Sequence, residues 1–334
     1  MKIAVTGASG FIGRHVVRTL AARGDQVTAI VRPRSPSLAT LTAPPGGMLC
    51  QASLTPGDLE TAFSGADAVV HLAGVISSSR RGDYAAVNAE GTRAAAEAAR
   101  AAGARFVYVS SLAAAGPAPA AAPRDERDPP APINSYGLTK LAGERAVEAV
   151  GGLQWTILRP GVVYGDGDHA LTPLFAMTRL PIMPVVGGAG TAYTFVHIDD
   201  MVRAVVAAID RAAAGLTCFV GHPAPVGARA LVRAVRAAAR SRALLVPVPS
   251  PLVWIAANVC ELAGTLAGRE LLLSRRRYAE MYAEGFVCRV ERLKEELGVA
   301  AAVGIDAGLE RSAAWYLRDA TGRSDVRRQT FTSL

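Results

Sequence analysis

Lys2-Ile3-Ala4-Val5-Thr6-Gly7-Ala8-Ser9-Gly10-Phe11-Ile12-Gly13-Arg14-His15-Val16-Val17-Arg18-Thr19-Leu20 is the stretch that decides the fold. Lys2 to Val5 is a short apolar run rich in branched residues, the pattern of a buried strand. Three glycines follow at every third position. From Arg14 to Arg23 the apolar Val16, Val17 and Leu20 fall on one side of a helix. Strand, glycine turn and helix together turn a glycine pattern into a phosphate site. Gly7 allows the tight turn, Gly10 lets the backbone approach a pyrophosphate, and Gly13 lets the helix pack close to the strand. The helix N-terminus offers free N–H groups and a partial positive charge to that anion. Ser9, Phe11 and Ile12 lie in the same turn and are candidate cofactor contacts. The spacing is Gly-x-x-Gly-x-x-Gly rather than Gly-x-Gly-x-x-Gly. The alternative is an ordinary strand-to-helix turn, and the flanking elements favour dinucleotide binding over it.

A chain of 334 residues, 51% hydrophobic and 19% charged, can bury a large core in one large or two smaller domains. Cys50, Cys218, Cys260 and Cys288 lie far apart with no Cys-x-x-Cys pair, which argues against a metal site and suits reduced thiols in a cytoplasm. No basic, apolar and cleavage regions of a signal peptide are visible at the N-terminus. No uninterrupted apolar run reaches the about 20 residues of a membrane span. The net charge is +8, and all but Lys2, Lys140 and Lys294 of the 36 basic residues are arginines. They are scattered, with clusters only at 275–277 and 327–328, and no nucleic-acid motif accompanies them. A solvated surface is the expectation, with no nucleic-acid partner.

Gln26 to Val31 reads as a second strand, ending in Arg32-Pro33-Arg34. There an acid would bind the ribose 2′-hydroxyl, whereas an arginine accommodates a 2′-phosphate. Arg32 stands in the place of the acid, with Arg34 and Arg14 expected near enough to help, so NADP is expected over NAD. Met48 to Ala52 is a third strand, with Ser53 and Leu54 beyond it, near the adenine. Ala68 to Leu72 is a fourth. Small residues after it, Ala73 and Gly74, let the backbone pass close to a cofactor, and His71 is expected to be structural. Tyr84 to Ala102 reads as one alanine-rich helix carrying Asn88, and Phe106 to Val109 as a fifth strand ending in Ser110-Ser111. Residues 113–132 read as a long flexible loop. A helix opens at Asn134-Ser135-Tyr136-Gly137-Leu138-Thr139-Lys140, and a sixth strand runs into Arg159-Pro160-Gly161-Val162-Val163. Alternating strands and helices imply an α/β, Rossmann-type doubly wound parallel sheet.

Beyond Asp166 the prolines multiply and the pattern changes. The expected division is a dinucleotide-binding domain over 1–165, to which 198–222 return, and a smaller, mostly helical substrate domain from 166–197 and 223–322. Residues 323–334 are expected to be a flexible tail. Tyr278 to Phe286, Val290 to Leu297 and Ile305 to Ala320 read as short helices, and Leu244 to Leu266 is strongly apolar.

Ser111, Tyr136 and Lys140 would meet at the carboxyl ends of the strands, where such sheets bind ligands. Tyrosine, with a free pKa of about 10, is a poor base at neutral pH. A neighbouring ammonium, together with the positive nicotinamide ring, would favour the phenolate. Tyr136 could then take a substrate hydroxyl proton as hydride leaves, with Ser111 holding the same oxygen and Lys140 also on the nicotinamide ribose. A lone Tyr-x-x-x-Lys is an ordinary exposed helix pair. Downstream of a dinucleotide turn and a strand-end serine, the catalytic reading prevails.

TGASGFIG (6–13), HLAG (71–74), Asn88, VSS (109–111), YGLTK (136–140), LRPGVVYG (158–165) and VHIDD (196–200) occur in order. In these the chain resembles the extended short-chain dehydrogenases/reductases over nearly its whole length. The resemblance implies a Rossmann domain with a smaller substrate domain, NAD(P) dependence and often a homodimer through two long helices. It also implies cofactor contacts at Ser110, Pro160, Gly161, Val163 and Leu72. Nucleotide-sugar members usually carry an asparagine after the RP-type arginine and an arginine two residues before the phenylalanine ahead of VHIDD. This chain has Gly161-Val162-Val163 and Tyr193 there. SSLAAAGP is more similar to the 3β-hydroxysteroid dehydrogenase branch. The expected function is an NADP-dependent oxidoreductase interconverting an alcohol and a ketone on a lipophilic, sterol-like substrate. The alternatives are a nucleotide-sugar epimerase or dehydratase, and a non-catalytic NADP-binding scaffold. A cytoplasmic location with peripheral membrane contact through 244–266 goes with the first reading.

Overall fold

The computed structural model describes residues 1–35, 43–75, 83–188, 190–211, 215–266, 278 and 284–321. Seven strands form one sheet: β1 (Lys2–Thr6), β2 (Gln26–Val31), β3 (Met48–Gln51), β4 (Ala68–His71), β5 (Arg105–Val109), β6 (Trp155–Pro160) and β7 (Leu216–Val220). Their spatial order is β7-β6-β5-β4-β1-β2-β3. Every pairing is parallel. The order reverses beside β1, so the carboxyl ends of β1 and β4 border the crevice where open sheets of this kind bind ligands.

Parallel strands covered on both faces must be apolar on both, because alternate side chains point to opposite sides. Ile3, Val5, Val27, Ala29, Val31, Val70 and Val107 point to one face. There they meet Val16 and Leu20 of helix α1 (Phe11–Ala22) and Met201, Val205 and Ile209 of a helix at Ile198–Asp210. Ala4, Ile30, Val69, Phe106, Tyr108 and Ile157 point the other way. They are covered by α2 (Pro56–Ala62), α3 (Thr92–Ala101) and α4 (Ser135–Glu148) through Leu59, Ala95, Ala99 and Val147. The sheet is therefore a Rossmann-type, doubly wound one. A third apolar cluster, built on Tyr164, Phe175, Met183, Phe195, Val235, Leu309 and Tyr316, lies among short strands and helices of the later chain.

Four segments depart from expectation. The helix over 84–102 is interrupted: Ala86–Gly91 is a π-turn, placing Asn88 inside a widened turn of the kind often found at functional sites. Residues 113–132 are pinned rather than loose, since Ala118 N donates to Gly285 O, Arg124 N to Val287 O and Ala131 N to Ala115 O. Phe286 is not helical but bridges both Ala118 and Tyr193. The helix Glu291–Leu297 sends Leu293 and Leu297 into the cluster beneath the sheet, so that segment packs with the sheet and not with the third cluster. The tail at 323–334 lies outside the described residues. Among the described residues no helix is long and apolar enough to cross a membrane, and no group of His, Cys, Asp and Glu could hold a metal ion.

Candidate active site

The glycine turn is shaped by close approach. Gly7 has φ +66°, and a Cβ there would lie 2.8 Å from the backbone of Leu72 and Ala73. A Cβ on Gly13 would lie 2.2 Å from the Gly7 carbonyl oxygen. Only glycine lets the turn sit against both the end of β4 and the start of α1. Gly10 caps α1 with extended backbone and no side-chain hydrogen bond, which leaves the first-turn N–H groups facing outward. Thr6 ties the turn to β4, its hydroxyl accepting from Ala73 N at 3.3 Å. This cradle, which a Cβ would fill, fits a dinucleotide pyrophosphate. The carbonyl of Ile30 accepts from Ala8 N at 3.3 Å, so the end of β2 and the exposed Arg32 beyond it lie beside the turn. Arg14 does not join them: its guanidinium comes near Gly167, where a Cβ would be 3.7 Å from Nη2. Ser53 N donates to Asp58 Oδ2 at 2.9 Å, and Leu54 packs on Gly91. His71 is buried between the hydroxyls of Thr6 and Thr92, 2.8 and 3.2 Å away, and burial pushes its pKa down to about 3. A neutral, doubly partnered histidine is structural, as expected.

Asn88 is wholly buried and fully used. Its side chain accepts from Val75 N at 2.8 Å and donates to Val75 O at 3.0 Å and to Thr139 Oγ1 at 3.2 Å. It thus locks the segment after β4 to helix α4. Asn134 starts that helix by accepting from Gly137 N at 2.8 Å. Gly137 packs so tightly that a Cβ would lie 2.3 Å from the Ala113 carbonyl. This contact brings the first turn of α4 against the segment that begins at Ser111. Ser111 Oγ accepts from Ala113 N at 3.2 Å, leaving its own proton for the hydrogen bond it makes with Tyr136. Val163 lies partly buried against the cluster beneath the sheet, and Gly161 N donates to Val220 O at 3.0 Å beyond Pro160.

The electrostatics differ from expectation. Burial pushes Tyr136 above its ordinary pKa, with the Ser111 hydrogen bond opposing and Tyr84 adding to the rise. The Lys140 ammonium is directed elsewhere: Nζ donates to Val109 O at 2.8 Å and lies 4.4 Å from the centre of the Tyr108 ring. Burial pushes its pKa down to about 7, against the pull of Glu144. Protein groups alone therefore hold the Tyr136 proton, and the expected phenolate counts also on the positive charge of a bound nicotinamide ring.

The Ser110 side chain has a structural partner. Its hydroxyl donates to Glu144 Oε1 at 2.5 Å and is committed to a buried network. Glu144 accepts two further bonds from Arg159, Nε at 2.9 Å and Nη2 at 2.6 Å. Glu144 lies one helical turn beyond Lys140, a spacing visible in the sequence, but its partner on β6 was not.

The comparisons agree with this architecture. Residues 3–220 match the family described as NAD dependent epimerase/dehydratase family. A ceramide reductase of Caulobacter vibrioides is 36% identical over 214 residues, 61% of this chain and 60% of that protein. Sterol demethylase protein B of Methylococcus capsulatus is 32% identical over 234 residues, 64% of this chain and 68% of that protein. Among solved structures, a UDP-glucose 4-epimerase of Thermotoga maritima superposes with a TM-score of 0.77 at 23% identity, over 96% of this chain and 99% of that one. At that identity the likeness is one of fold.

Proposed function

Because the chain belongs to the NAD dependent epimerase/dehydratase family and is an NAD(P)-dependent oxidoreductase of the extended short-chain type, we propose that it interconverts a secondary alcohol and a ketone on a lipophilic, sterol-like substrate, with NADP as cofactor. When bound, the dinucleotide supplies or accepts the hydride. The chain's own residues would do the rest. The glycine turn holds the pyrophosphate, Arg32 the adenosine end, and Lys140, 3.7 Å from where a Cβ of Gly74 would be, the nicotinamide ribose. Ser111 fixes the substrate oxygen, and Tyr136, protonated at neutral pH by its burial, is ready to give that oxygen a proton. On this reading 1–165, 198–222 and the helix at Glu291–Leu297 serve the cofactor, and the third cluster shapes the substrate side.

One observation carries the choice of substrate class. Where nucleotide-sugar members place an arginine, Tyr193 stacks on Phe286 at 6.4 Å between ring centres, with planes 10° apart. Phe286 also packs on the apolar cluster of Leu112, Ala115, Phe219 and Cys288, directly after Ser111. A Cβ at Gly161 would lie 2.2 Å from Thr194 O, so no side chain fits there. A diphosphate desolvated without charged partners would cost several kcal/mol. A fused-ring lipid would instead gain roughly 25 cal/mol per Å² of apolar area buried. The two relatives named for ceramide and sterol point the same way. Thermal-shift titration with NADPH present should show stabilisation by sterols or other lipophilic ketones and none by a UDP- or dTDP-sugar panel. Stabilisation by a nucleotide sugar alone, at micromolar concentration, would establish the epimerase reading instead.

For the cofactor, NADPH should bind more tightly than NADH, and Arg32→Ala should abolish most of the difference by removing charge-assisted contacts to the 2′-phosphate. Calorimetry giving equal affinities in the parent protein would refute this assignment.

A further inference from the structure

Surface helices of water-soluble folds carry polar residues on the face they do not bury. The helix Ser250–Leu266, SPLVWIAANVCELAGTL, breaks that rule. It buries Val253 and Ala257, one turn apart, and leaves Leu252, Trp254, Ile255 and Val259 between 51% and 61% exposed. Leu252, Ile255 and Val259 are spaced three and four apart and so share a face, with Trp254 exposed beside it nearer the buried Val253 and Ala257. The chain leading into this helix repeats the pattern. Leu244–Pro247 pairs in parallel with Ile182–Val185, setting Leu244 opposite Ile182 and Val246 opposite Pro184. Leu244, Ile182 and Val246 on this ribbon are 66%, 49% and 41% exposed, while Met183 between them is buried. Val248 N donates to Val185 O at 3.0 Å, so the ribbon continues directly into the helix.

The charge around these elements is predominantly positive. Exposed Arg179 precedes Leu180, itself 55% exposed, and exposed Arg240 and Arg242 precede Leu244. None of the three arginines forms an ion pair among the described residues. Between residues 223 and 266 the sequence holds five arginines and a single acid, Glu261. A second copy of this chain would bring the same positive rim against itself, whereas an anionic surface complements it. A strongly apolar helix with an exposed tryptophan and basic flanks has the properties of a segment that lies in the plane of a membrane interface.

We propose that the helix 250–266 and the adjoining ribbon of 182–185 and 244–247 form a docking surface for a bilayer containing anionic phospholipid. This surface stands independently of the chemistry proposed above, because binding to vesicles is read without turnover. Vesicle co-sedimentation of the full chain should show binding to phosphatidylcholine vesicles containing phosphatidylglycerol, and weaker binding to phosphatidylcholine alone. A blue shift in tryptophan emission should accompany it and disappear in Trp254→Phe. Ile255→Glu/Val259→Glu should lower partitioning about tenfold or more, while NADPH binding, the check on folding, is kept. Arg179→Gln/Arg240→Gln/Arg242→Gln should keep the fold and erase the preference for the anionic vesicles. The proposal is overturned by no binding to anionic vesicles, or by partitioning that neither set of substitutions alters. It is equally overturned by sedimentation showing a dimer that Ile255→Glu/Val259→Glu dissociates, for the face would then be a self-interface.

Discussion

Tyr136→Phe should lower turnover by about 10²–10⁴-fold with dinucleotide affinity unchanged, because the substitution removes one oxygen and little else. The phenol oxygen accepts the Ser111 hydrogen bond at this site, which leaves the phenol proton for the substrate. Its helix is fixed independently by the Asn134 cap and by Asn88 through Thr139, so the backbone should not move when the hydroxyl is lost. The parent enzyme's pH profile should carry the same signature. Burial raises the Tyr136 pKa, so the proton is held to higher pH than in a free tyrosine. Ketone reduction, which needs the protonated form, should persist through neutrality and fall only in alkali. Alcohol oxidation, which needs the phenolate, should rise with pH over the same alkaline range. Near-normal turnover in the variant, with this profile intact, would remove Tyr136 from the chemistry.

Glu144→Leu should cost about 3–5 kcal/mol of folding stability, read as a drop in the denaturant midpoint. Glu144 is 1% exposed and Arg159 5%. Leucine would leave the guanidinium buried without its two charge-assisted bonds and Ser110 without its acceptor. The uncompensated charge dominates this cost, so adding Arg159→Met to Glu144→Leu should recover much of the loss. A cycle in which the two substitutions simply add would show that the pair is not coupled as its geometry requires.

The elements that position the site were legible because their signals are local. The glycines at 7, 10 and 13 announce themselves between a strand and a helix. The alternation of Ile3, Ala4 and Val5 marks a strand covered on both faces. The serine and tyrosine that hydrogen-bond here lie 25 residues apart in sequence, yet each sits at the end or start of an element that periodicity reveals. What escaped depends on pairing across the fold. The commitment of Ser110 to Glu144 needs β5, β6 and α4 placed together. The bridging of Phe286 to both Ala118 and Tyr193 joins three distant segments, and nothing in 278–286 separates such a strap from a helix. The direction of Lys140 toward Val109 O is a matter of side-chain packing, which the four-residue spacing from Tyr136 does not fix.

The most direct measurement follows deuterium from NADPH labelled at C4 of the nicotinamide into product, by mass spectrometry, with lipophilic ketones and nucleotide sugars offered together. The account predicts one deuterium on the carbinol carbon of a lipophilic alcohol, with oxidised cofactor formed in equal amount. Isomerisation of a nucleotide sugar with no net change in the cofactor, and no labelled alcohol, would contradict it.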